Sequence, residues 1–245
     1  MKLTNAIEIQ QLSKQYKTKV ALHPLTLSIP EGQLFGLLGV NGAGKTTLIK
    51  ILTGLLKPSS GTAHILGHSL SKEDSAIHSI IAVSPQETAI APNLTVRENL
   101  LLMARIHGFS KLQATAKVDE MIAQFSLEPF EKERGKTLSG GWQRKLSISM
   151  ALILEPRILF LDEPTLGLDI ISRQELWTMI QKLKGSTTIV LTTHYLEEAV
   201  ELCDRICILK DGYMKAVGTV DELIDQSKQS TFKDAFVHFV TGGES

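Results

Sequence analysis

Apolar positions along this chain change their spacing several times, and the changes divide it into elements. Near the start, Ala6-Ile7-Glu8-Ile9 and the stretch from Ala21-Leu22 through Ile29 read as strands, separated by a polar turn around Lys14 to Lys19. Leu34-Phe35-Gly36-Leu37-Leu38 is an almost unbroken apolar run, the pattern of a strand buried on both faces. Gly61-Thr62-Ala63-His64-Ile65-Leu66-Gly67 and Ile80-Ile81-Ala82-Val83 read as two more short strands, the second ending at Ser84-Pro85-Gln86. From Thr95 the period becomes helical. Val96, Leu100, Met103 and Ala104 share one face, and Thr95 with Glu98 has capping-box spacing. A second helix is predicted over about 113–125, with Ala114, Val118, Met121, Ile122 and Phe125 inward. Residues from about 90 to 137 therefore form a helical insert in an otherwise alternating chain.

Alternation resumes with a helix over about 141–154, which Pro156 helps to end. Ile158-Leu159-Phe160-Leu161 is a wholly apolar strand, followed by a helix over about 172–183, the strand Thr188 to Leu191 and a helix over 196–202. Ile206 to Met214 reads as a hairpin on the Asp211-Gly212 turn. Short helices at Val220 to Ile224 and Phe232 to Val240 follow. No internal repeat interrupts this order, so a single α/β unit is expected over 1–245.

The junction after the strand at 34–38 carries chemistry. Gly39-Val40-Asn41-Gly42-Ala43-Gly44-Lys45-Thr46-Thr47 fits G-x-x-x-x-G-K-[ST], a phosphate-binding P-loop. Thr47 to Leu52 reads as the helix leaving it, stopped by Gly54 and Pro58. A strand, a glycine loop and a helix N-terminus aim N–H groups and a positive dipole end at one point. A Cβ at the glycines would crowd the phosphates or forbid the φ angles. Lys45 brings a positive charge to the β/γ-phosphates, and the Thr46 hydroxyl can ligate Mg²⁺. Asn41, Gly42, Gly44 and Thr47 complete the phosphate-binding set.

The apolar strand at 158–161 runs into Asp162-Glu163, and carboxylates there sit at the mouth of an open α/β sheet. Asp162 fits the Walker B role of holding Mg²⁺, directly or through water, and Glu163 is the candidate base for an attacking water. Taken without the P-loop, the two acids would only cap the turn at Pro164. Leu138-Ser139-Gly140-Gly141 opens a helix too. Two glycines and a hydroxyl at a helix start make either a second anion cradle or an ordinary flexible turn. As a cradle it would serve a nucleotide held by another copy of the chain.

Composition trims the alternatives. Lys plus Arg and Asp plus Glu are equal at 26 each, which gives no bias toward nucleic acid. No apolar run approaches the ~18 residues that cross a bilayer. Met1 to Glu8 has an early acid and no long apolar stretch, so no signal peptide is expected. Cys203 and Cys207 read as small apolar residues of a helix end and the next strand, in a reduced protein. His64 and His68 are spaced H-x₃-H on a strand-turn segment, where the rings would not converge on a metal.

Taken in order, Gly39 to Thr47, Gln86, Leu138 to Gly141, Ile158 to Pro164, Gly167-Leu168-Asp169 and His194 make the chain resemble the ATP-binding subunit of ABC transporters over nearly its whole length. The resemblance implies an α/β P-loop NTPase fold with a RecA-like core, an antiparallel β-subdomain, an inserted helical subdomain at about 90–150 and a helical tail at about 219–245. It implies that Tyr16 stacks on adenine and that Gln86 reaches Mg²⁺ and the attacking water while sensing a transmembrane partner. Ser139, Gly140 and Gly141 would contact ATP of the opposite subunit, Asp169 would lie in a loop at the dimer interface, and His194 would contact the γ-phosphate and position water. On its own, Tyr16 reads as a turn tyrosine, and Asp169 as an N-cap. Trp142 departs from the pattern, standing where the signature often has Gln; Gln143-Arg144-Lys145 keep the polar start of that helix.

The strand into the P-loop and the tail Phe232 to Gly242 resemble ATPase subunits of bacterial ABC-2 type exporters, which act on drugs, antimicrobial peptides, lipids or polysaccharides. The implied protein is an Mg²⁺-dependent ATPase at the cytoplasmic face of the membrane. Two nucleotide-binding subunits, as a homodimer or heterodimer, would close around ATP and drive a separate transmembrane permease. Import, or a soluble role, is the alternative.

Overall fold

Residues 4–70 and 75–242 are described by the computed structural model; expectations for 1–3 and 243–245, at the two ends of the chain, lie outside them. β1 (Asn5–Tyr16) and β2 (Lys19–Pro30) pair antiparallel, and both run further than their apolar segments suggest. The polar residues near 14–19 are themselves paired, down to Tyr16 opposite Lys19, so the turn shrinks to residues 17–18. β3 (Leu34–Leu38) is buried throughout and leads into α1 (Lys45–Leu52). β4 (Ser60–Ile65) and β5 (His68–Ser69) then return to the first pair, giving a four-stranded antiparallel sheet in the order β2-β1-β4-β5.

α2 (Ser75–Ile80) and β6 (Ile81–Ser84) follow. Ile80 therefore ends a helix rather than starting a strand. Six residues are too few for a helical period to stand out in the sequence. α3 (Val96–Ile106), α4 (Lys111–Gln124) and α5 (Gly140–Leu152) lie between β6 and the next strand. Thr95 and Glu98 form the expected capping box, and Val96, Leu100 and Ala104 are buried. The inward face of α4 is also as read, with Ala114, Val118, Met121 and Ile122 buried.

β7 (Ile158–Asp162), α6 (Ile170–Gln181), β8 (Thr188–Thr193), α7 (Leu196–Leu202), β9 (Arg205–Lys210), β10 (Tyr213–Gly218), α8 (Val220–Ser227) and α9 (Phe232–Thr241) complete the order. A second sheet runs β10-β9-β3-β8-β7-β6, parallel except for the β9–β10 hairpin. Period-two alternation decides what each strand touches. Leu159 and Leu161 pack with α3 to α6, whereas Ile158 and Phe160 pack with Ile7, Ile9 and Leu12 of the antiparallel sheet. α9 lays Phe232 and Ala235 on Ile206 and Ile208, with Phe236, Phe239 and Val240 beside them. Cys203 and Cys207 are free, and burial raises both thiols, Cys207 to about 12, so neither is a thiolate at neutral pH.

Candidate active site

Every strand of the parallel sheet that carries candidate chemistry ends at one edge. β3 delivers residues 39–44, β7 delivers Asp162-Glu163, and β8 delivers His194 just past Thr193. Helix α1 starts at Lys45 rather than Thr47 because Gly44, at φ +107°, already occupies the N-cap position. The glycines are needed for different reasons than ligand crowding alone. A Cβ on Gly39 would stand 2.4 Å from the Leu209 carbonyl oxygen, and one on Gly44 would stand 2.9 Å from that of Ala21. Around Gly42, at φ +81°, there is open space, so only its backbone angle and a bound ligand demand glycine. Gly44→Ala should therefore combine left-handed strain of about 1–2 kcal/mol with overpacking of about 1–3 kcal/mol. Gly42→Ala should carry the strain alone. Urea melts would show the larger loss at Gly44; equal midpoints would mean the close approach to Ala21 is not limiting.

The Lys45 ammonium is buried, donates to the Gly39 carbonyl at 2.6 Å and lies 3.3 Å from Glu163 Oε1. Glu163 Oε2 is 2.5 Å from His194 Nδ1. The Thr46 hydroxyl donates to Asp162 Oδ2 at 3.4 Å, and the Thr192 hydroxyl donates to Asp162 Oδ1 at 2.5 Å. Glu163 adopts φ +50°, an uncommon angle for a residue with a Cβ. Its N–H holds that turn by donating to the Thr192 carbonyl at 3.1 Å and hydroxyl at 3.0 Å. Thr192 thus orients both acids, which the sequence reading did not foresee. Glu198, wholly buried, accepts from the Thr165 hydroxyl at 2.8 Å and the Trp177 indole at 3.1 Å, tying the segment after Glu163 to α7. Burial raises its carboxyl, and those hydrogen bonds partly offset the rise.

A cleft of about 430 Å³ opens over the loop and is lined by Tyr16, Asn41, Gly42, Gly44, Lys45, Thr46, Thr47, Gln86 and Glu163. Tyr16 is exposed at its rim, with the Lys14 ammonium 5.2 Å from the ring centroid. The Asp211-Gly212 turn also lines the cleft, and Gly212 N–H donates to the Ala43 carbonyl at 3.1 Å. Thr46 Oγ1 and Asp162 Oδ2 are hard oxygen donors side by side beneath this cleft, a donor set that suits Mg²⁺ with few protein ligands.

Ser139, Gly140, Gly141 and Asp169 do not line the cleft of their own chain. Ser139 is the exposed N-cap of α5, with the Trp142 N–H at 3.5 Å from its hydroxyl. A Cβ on Gly141 would meet Ser172 at 2.8 Å, so this glycine lets α5 approach α6. Asp169 accepts from Ser172 N–H at 3.0 Å and from the Ser172 hydroxyl at 2.7 Å, which holds its carboxyl below the usual range. Within one chain it is an N-cap. Trp142 packs on Phe130, ring centroids 4.2 Å apart, under the Lys145 ammonium 4.1 Å away. The unusual residue therefore holds the start of α5 against the preceding turn.

A parallel sheet whose strand ends carry a glycine loop and paired acids defines a P-loop NTPase. An ABC transporter family model matches residues 22–166, and the chain belongs to that family. It is 41% identical over 221 residues to the daunorubicin/doxorubicin resistance ATP-binding protein DrrA of Streptomyces peucetius, covering 90% of this chain and 67% of that one. It is 42% identical over 221 residues to the phospholipid-transporting ATPase ABCA3 of Mus musculus, covering 89% of this chain but 13% of that much longer relative. A solved ATP-binding subunit of an ABC transporter superposes with a TM-score of 0.84 at 30% identity, covering 96% of this chain and 99% of the other. A dimeric ATP-binding cassette in a post-hydrolysis state with ADP and Pi gives 0.77 at 28% identity, covering 87% and 98%.

Proposed function

We propose that this chain is the ATP-hydrolysing subunit of a membrane exporter. The single observation that carries the reading is the line from buried Lys45 through buried Glu163 to half-buried His194, beside the Thr46–Asp162 pair and under one phosphate-sized loop. Tyr16 offers its ring to adenine. The N–H groups of residues 42–47 and the Lys45 ammonium take the phosphates, which is preorganised electrostatic stabilisation of the charge that develops on transfer. Glu163 accepts the proton of the attacking water, and the products are ADP and inorganic phosphate. His194 does not itself line the cleft; it holds the Glu163 carboxylate through Oε2 and is assigned to positioning the attacking water. Thr46, Asp162 and Gln86 would hold Mg²⁺, which when bound supplies charge neutralisation at the β- and γ-phosphate oxygens.

Ser139, Gly140 and Gly141 act on the ATP of a second nucleotide-binding subunit, with Asp169 at the shared interface. The exposure of the Ser139 turn away from its own cleft supports this, as does the likeness to a dimeric cassette. Among the described residues no helix is long and apolar enough to cross a membrane. Assignment of the transport path to a transmembrane permease, with this subunit at the cytoplasmic face, is supported by likeness to a drug-resistance ATP-binding protein. Likeness to a drug-resistance ATP-binding protein and to a phospholipid-transporting ATPase points to export of an amphiphilic cargo.

The purified chain should release phosphate from ATP in the presence of Mg²⁺. EDTA should reduce release to the no-enzyme background, and added Mg²⁺ should restore it. Undiminished release in EDTA would overturn the metal-dependent reading, and no release under any condition would overturn the ATPase itself.

A further inference from the structure

The cleft and the Ser139 turn are separate on this chain, yet one side chain joins their supports. Arg144 stands on α5, the helix that Ser139 caps. It is 5% exposed. Its Nη1 donates to the Pro85 carbonyl at 2.5 Å and its Nη2 to the Gln86 carbonyl. Among the described residues Arg144 forms no ion pair; Asp162 and Glu198 act on it only at longer range. A guanidinium buried without a carboxylate is costly unless its donors are used. Here the planar fork spans two consecutive backbone carbonyls, a geometry that a lysine point charge does not reproduce. One turn further along α5, buried Ser147 hydrogen-bonds Ser84 at 3.0 Å. The end of β6 and the backbone of Gln86 are thus attached to α5 at two successive levels.

We propose that Arg144 is a positioning residue that sets where Gln86 stands in the cleft according to the state of the Ser139–Gly141 turn. The proposal rests on the ATPase reading above. α5 is stiff over this distance, so a force on its N-terminus reaches Gln86 through the fork. If each turn presses on the nucleotide of a second subunit, Arg144 links one site to the other.

The test is a double-mutant cycle on the purified full chain, with ATP and Mg²⁺. Arg144→Met keeps the unbranched stem of the side chain as far as the level of Nε, removes the fork and leaves no buried charge. Its kcat should fall about 10- to 100-fold, the scale of a misplaced group at a reacting centre. Displacement of a fluorescent ATP analogue should show affinity within about twofold of wild type, because the phosphate-binding loop is untouched. Gln86→Ala should slow the wild type about tenfold yet slow Arg144→Met less than about twofold, since Gln86 is already displaced. Arg144→Lys, with charge and one bond retained, should recover part of the rate. Should Arg144→Met fail to fold, Arg144→Lys carries the same cycle with Gln86→Ala. Multiplying losses, or affinity and melting temperature falling together with kcat unchanged per folded molecule, would overturn the inference while leaving the ATPase reading intact. A wild type that releases no phosphate would overturn both.

Discussion

Glu163→Gln should lower phosphate release by about 10²–10⁴-fold, the range that a positioned general base supplies, while ATP still binds. The exchange is nearly isosteric. It leaves the turn at φ +50° untouched, because that turn is held by backbone and Thr192 bonds rather than by the carboxylate. Lost are the proton affinity of the group and one negative charge 3.3 Å from the Lys45 ammonium. The second loss favours the triphosphate, since Lys45 is then free of a competing anion. Affinity should hold or rise as turnover collapses, and ATP should accumulate a dimer visible by size exclusion. A variant that hydrolyses at the wild-type rate would remove Glu163 as the base and shift attention to His194 alone.

Much of this site could be read from the sequence because its parts are local. The phosphate loop announces itself through spacing within residues 39–47, and the acids through their place after an unbroken apolar strand. Helix starts were readable to within a few residues, and the offsets have one cause: Gly44, Ser139 and Asp169 are caps, so α1, α5 and α6 begin directly after them. What stayed hidden depends on register or on side chains meeting across the fold. Thr192 matters only because β7 and β8 pair Asp162 with Thr192, a relation between residues 30 apart. The hairpin turn at Asp211-Gly212 was legible as a turn, but its seat against Ala43 was not. Arg144 read as an ordinary basic residue early in a helix; nothing in its neighbours signals a fork closing on carbonyls nearly sixty residues away. Asp169 is the converse, a residue assigned to an interface by resemblance whose visible work in one chain is to cap α6.

Lys45→Ala and Ser139→Arg should each abolish turnover, and mixing the two variants should restore part of it. Lys45→Ala removes the only ammonium among the described residues that reaches Glu163, and with it the charge facing the phosphates. Ser139→Arg puts a long cation at the exposed start of α5 and removes the cap hydroxyl, worth about 1 kcal/mol, without entering the cleft of its own chain. In a pair of identical subunits with shared sites, each variant alone has both sites damaged. A mixed pair concentrates both lesions in one site and leaves the other with an intact loop from one subunit and an intact turn from its partner. Random pairing of equal amounts makes about half the pairs mixed, so the mixture should recover about a quarter of wild-type turnover if the sites act independently. Were each chain to use its own turn, the mixture would be as inactive as its components. Recovery to the full wild-type rate would exclude the shared-site arrangement as well, because no pair in the mixture holds two sound sites.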